Sequence, residues 1–109
     1  MSLQLTVLEK RAVAKVLLDI MNADGEVSVG EGLYFIQLQG QLGISDSEMR
    51  LAKEMSVIHC ISIIRALLPH EKEILAFMMI EMIKADGKVE DSELELLMTI
   101  CNMTNIQLP

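Results

Sequence analysis

The sequence predicts an all-α fold: a compact single-domain bundle of about six to seven helices, built from two copies of one helix–turn–helix unit around a central hydrophobic helix. Three observations carry this. Proline is confined to Pro69 and Pro109, leaving most of the 109-residue chain free to be helical. Apolar residues recur at helical spacing along much of its length. The chain also repeats itself: displaced by 62 positions, Glu9-Lys10 falls on Glu71-Lys72, Ala14 on Ala76 and Ala23-Asp24-Gly25 on Ala85-Asp86-Gly87. In the same register Val27 meets Val89, Glu31 meets Glu93, and Gly43-Ile44 meets Asn105-Ile106.

The two units occupy about residues 6–44 and 69–106, joined by a connector over about 45–68. In the first, Leu8, Ala12, Val13, Val16, Leu17 and Ile20 make a helical stripe, and Asp24-Gly25 stops it because glycine accepts the left-handed conformation. Ser28 and Glu31 have the spacing of a capping box, in which each side chain satisfies a free amide of the first turn. The helix they open carries Leu33, Ile36 and Leu38 and stops at Gly43. In the connector, Ser45 with Glu48 predicts a second box and a short helix to about Met55. Ser56 caps another over about 57–67, with Ile58, Ile61, Ile64 and Leu68 inward. Pro69 suits the start of the next helix. Its stretch from Ile74 to Ile83 is apolar on nearly every face, which marks it as the helix the others surround. In the last helix the Ser28 position holds Glu90, so capping is expected to pass to Asp91, and Asn105 takes the left-handed stop.

Composition bounds the chemistry. The chain is 51% apolar with two Phe, one Tyr and nine Met, so the core is aliphatic and methionine-rich. A net charge of −7 repels phosphate backbones and anionic lipid, which argues against nucleic acid and membrane-surface partners and favours cations or basic proteins; a plain solubility charge is the alternative. The longest unbroken apolar run, Ile74 to Ile80, falls far short of the ~20 residues a membrane span needs. With no basic stretch and apolar run at the start, no leader is expected, and a soluble cytoplasmic protein is. Cys60 and Cys101 lie on apolar helical stretches and read as buried free thiols, with a disulfide or a reactive thiol as alternatives. His59 reads as a helix residue near the core, His70 as solvated, and Arg50, Lys53 and Arg65 as an exposed basic strip.

The candidate site is the repeated Ala-Asp-Gly-x-Val-x-x-x-Glu element. Its spacing of acid, glycine, aliphatic residue and Glu matches the second half of a calcium-binding EF-hand loop. The first half fails, because the opening ligand positions hold Ile20 and Met82 and the next pair Asn22 and Lys84. Two half-sites brought together by a pseudo-twofold could still present Asp24, Glu31, Asp86 and Glu93 to one divalent cation, calcium, magnesium or zinc, which would relieve their mutual repulsion. The structural alternative is ordinary: Asp before Gly is turn chemistry and Glu three residues into a helix is capping. No nucleophile, base and third group can be placed together from spacing, so an enzyme is not expected.

These motifs resemble the tellurite-resistance TerB family and its relatives. The resemblance rests on residues 22–31, on Leu42-Gly43-Ile44-Ser45, and on residues 83–93, and it spans essentially the whole chain. It implies an all-α bundle around a long hydrophobic helix, cytoplasmic and without enzymatic activity. It also implies a stress-response or interaction role and repeated acids that chelate metal. Lys84 and Lys88 depart from the pattern and dilute the negative charge of the second motif, and Glu90 replaces the usual small polar cap. The runner-up is a structural or oligomerising protein-interaction domain without metal, using exposed apolar residues such as Tyr34, Phe35 or the methionines.

Overall fold

Most helices of this chain open on a group that satisfies their first free amides, and the capping pattern sets their order. The computed structural model describes residues 4–85 and 87–108. It contains α1 (Val7–Met21), α2 (Val29–Leu42), α3 (Asp46–Glu54), α4 (Val57–Arg65), α5 (Pro69–Lys84) and α6 (Asp91–Thr104), with no strand among the described residues. Thr6 caps α1 and Ser28 caps α2, each closing a reciprocal box with Glu9 or Glu31. Ser45 and Ser56 accept from the amides of Glu48 and His59 at the starts of α3 and α4. Glu48 does not close its box. Its carboxylate is taken by Arg11, whose Nε and Nη2 both donate to it and tie α3 to α1.

The two units superpose in register down to individual hydrogen bonds. Gly25 and Gly87 turn the hinges at φ 81° and 79°, and their amides donate to the Asn22 and Lys84 carbonyls at 3.0 and 3.1 Å. At the far ends Gly43 and Asn105 are left-handed, at φ 67° and 59°. There the Ile44 and Ile106 amides reach back to the Gln39 and Cys101 carbonyls, each at 3.0 Å, a paired Schellman stop.

The surrounded helix is α1, not α5. α1 packs against all five other helices, whereas α5 packs against α1, α2 and α6 and leaves Phe77 59% exposed. Small residues explain the exchange. Ala12 and Ala14 let neighbours approach α1 closely. Its charged residues are drawn to the rim, with Arg11 on Glu48 and Lys15 on Asp19 at 3.5 Å. The core is Val13, Val16, Leu17 and Ile20 of α1 against Leu75, Met79, Met82 and Ile83 of α5, with Ile64 and Leu97 beside them.

Expectations about two faces and one cap are corrected. In α2 Phe35, expected to be exposed, faces the core with Leu38 and Leu42, and it is Leu33 and Ile36 that are exposed. In α4 Cys60 and Ile64 turn inward, with Leu67 just beyond; Ile58 and Leu68 face out, and His59 is exposed rather than near the core. The α6 cap is Glu90, without a side-chain hydrogen bond, and Asp91 is already helical. A helix apolar on two faces gives no periodicity that says which is inside.

Candidate functional site

The hinge between α1 and α2 is built to hold carboxylates. After Gly25 the chain runs extended to Ser28, and Asp24 Oδ1 accepts the Glu26 amide at 3.0 Å, a side-chain turn that fixes the loop. Glu31 then sits in the first turn of α2, where the free amides and the helix dipole favour a negative charge. Its Oε1 accepts the Ser28 amide at 3.1 Å. Its Oε2 is buried and has no hydrogen-bond partner, in a residue only 1% exposed. An unmet carboxylate oxygen away from water is costly, of order 1–3 kcal/mol.

Glu31 is among the residues lining a cavity of about 260 Å³ shared by the two hinges. Asp24, Glu26, Val27, Ser28 and Glu31 come from the first hinge, Lys88 and Glu90 from the second. The hinges are therefore neighbours, as the pseudo-twofold expectation required. Of the four carboxylates expected to converge, Asp24 and Glu31 line the cavity. Glu93 is fully buried at the start of α6 and is not among its lining residues, and Asp86 lies outside the described residues. Among the described residues, no group of three or more His, Cys, Asp or Glu is placed to hold a metal ion.

Sequence reasoning did not name Glu26 or Glu90 as candidates, yet both line the cavity. The signal available was position: each lies in the extended segment after a hinge glycine, where side chains alternate and one set must face the other hinge. Lys88 brings a positive charge to the same wall, and its position in the second motif marked it in advance.

The remaining candidates fall elsewhere. Cys60 and Cys101 are buried free thiols. Burial pushes the Cys60 thiol up to about 11, and it donates to the Ala12 carbonyl at 3.3 Å; burial raises Cys101 as well. Neither is activated as a nucleophile. Arg50, Lys53 and Arg65 are exposed, and Arg65 donates to the Met103 carbonyl. A wider groove of about 590 Å³ runs beside Pro69, Phe77 and Leu108. Among the described residues, no helix is long and apolar enough to cross a membrane.

No family model and no curated protein matches this chain. Among solved structures, it is similar to a protein of unknown function from Porphyromonas gingivalis W83. The TM-score is 0.79 at 19% identity, over 100% of this chain and 84% of that one. A likeness at that identity speaks for the fold.

Proposed function

We propose that this chain is a non-enzymatic, TerB-like interaction module of stress response whose paired hinges take up one divalent cation. The observation that carries the reading is Glu31 Oε2, buried without a hydrogen-bond partner at a cavity to which both hinges contribute acids. The repeated Asp-Gly-x-Val-x-x-x-Glu spacing supports it from the sequence side. Asp24 and Glu31 are the first donors, with Glu26 and Glu90 also lining the cavity, while Glu93 lies outside its lining. An all-oxygen donor set suits calcium or magnesium, hard cations, better than zinc, which favours nitrogen and sulfur. Lys88 opposes the cation and sets an upper limit on its affinity.

A thermal-shift titration tests this. Calcium or magnesium is expected to raise the melting temperature of the full chain, following the usual linkage of ligand binding to stability. Asp24→Ala combined with Asp86→Ala removes the shift, and so does Glu31→Gln, which keeps the acceptor for Ser28. Melting that is unchanged by calcium, magnesium and zinc removes the cation from the proposal.

A further inference from the structure

The helix α2 is apolar on two opposite sides, and the outer one is exposed, with no partner among the described residues. Phe35, Leu38 and Leu42 face the core, while Val29, Leu33 and Ile36 are 80%, 63% and 65% exposed. With Gly40 they stand at positions 29, 33, 36 and 40, the alternating four–three spacing of a helix-pairing seam. The whole exposed surface of this helix is uncharged. Its one charged residue is Glu31, which is buried, and the rest of its outer face is Gln and Gly.

The second unit provides an internal control. Displaced by the repeat, the same four positions on α6 are Asp91, Glu95, Met98 and Asn102, all exposed. One copy of this surface is kept charged and the other is not. On a chain of net charge −7, two copies meet without juxtaposed charge at a face such as this.

We propose that the outer face of α2 pairs with the same face of a second copy of this chain. The helices run antiparallel about a twofold axis between Tyr34 and Phe35. That register sets Leu33 against Ile36 of the second copy and Val29 against Gly40 of the second copy, a large residue into a notch. Gly40 leaves open space for it: a methyl group added there would meet nothing within 4 Å. A basic peptide finds no carboxylate on this face, and an anionic lipid surface finds no Lys or Arg. The three side chains present on the order of 400 Å² of apolar surface, about half of the ~800 Å² each partner gives to a standard interface. The pairing is therefore reversible and concentration-dependent. It is independent of the cation reading, since these residues lie on the opposite side of α2 from Glu31.

Sedimentation of the full chain from about 10 μM to about 1 mM tests it, a range suited to interfaces of this size. The average mass is expected to climb from 12.2 kDa toward twice that value. Leu33→Glu holds the chain at monomer mass with unchanged melting at low concentration. Gly40→Gln fills the notch with an uncharged helix former, weakening self-association at least tenfold without lowering the melting temperature. Under oxidation, a mixture of Leu33→Cys and Ile36→Cys chains crosslinks faster than either variant alone. A mass of 12.2 kDa throughout the range, or association indifferent to Leu33→Glu, overturns the proposal, and crosslinking no faster in the mixture overturns its antiparallel register.

Discussion

The two units of this molecule share a backbone and differ in what they hang on it. Helix starts, hinge glycines and helix stops coincide across the repeat, so α2 and α6 both run 14 residues in the same register. Yet Ser28 closes a capping box where Glu90 makes no side-chain bond, and α2 shows Val29, Leu33 and Ile36 where α6 shows Asp91, Glu95 and Met98. The difference teaches that the fold depends on a short set of turn and cap positions plus the buried stripe. Everything facing water is left to diverge, and the two faces have diverged in opposite directions.

If the units are equivalent where they are buried, truncating matched core positions costs the same. Leu17 and Met79 occupy one position of the repeat and are 1% and 0% exposed. Leu17→Ala and Met79→Ala are each expected to lower stability by about 2–5 kcal/mol in chemical denaturation. A cost confined to one of them would show that a single unit carries the core. The caps give a smaller and opposite pair of effects. Ser28→Ala is expected to cost about 1 kcal/mol and Glu90→Ser to gain about as much, by giving α6 the box that α2 already has. Melting curves of the two variants should move apart in opposite directions. The stops are the finest test. Gly43→Ala is expected to cost about 1 kcal/mol through the left-handed conformation alone, because the new methyl group would meet only Lys10 Nζ at an ordinary 3.7 Å. Asn105→Gly, at the matched stop, should gain a few tenths.

The frame of the fold could be read from the sequence because it is written in local chemistry. Ser28 with Glu31, Gly25, Gly43 and Ser56 each act on neighbours within a few residues, and the repeat restates Gly25 and Glu31 as Gly87 and Glu93. The choice of central helix could not. Arg11, Lys15 and Asp19 make α1 look like a surface helix until Glu48, 37 positions away in the chain, is seen to hold Arg11. The sides of α2 and α4 were hidden for a related reason: Leu33 and Phe35 are both apolar, and only packing decides which turns in. At the hinges, the repeated acids named Asp24, Glu31, Asp86 and Glu93, of which Asp24 and Glu31 line the cavity and Glu93 does not. Glu26 and Glu90 escaped because they belong to no repeated identity, and their meeting depends on how two distant turns come together.

The glycines at φ 81° and 79° separate shape from chemistry at the hinges. With the turns secured by the glycines and, in the first hinge, by Asp24, the flanking positions 26, 88 and 90 can trade acid for base with little disturbance of the path of the chain. A descendant of this protein could thus convert a cation-seeking mouth into an anion-seeking one by a few surface exchanges, with Lys88 already a first step along that route. The scaffold is in this sense reusable, and its ion preference is among its most easily rewritten properties.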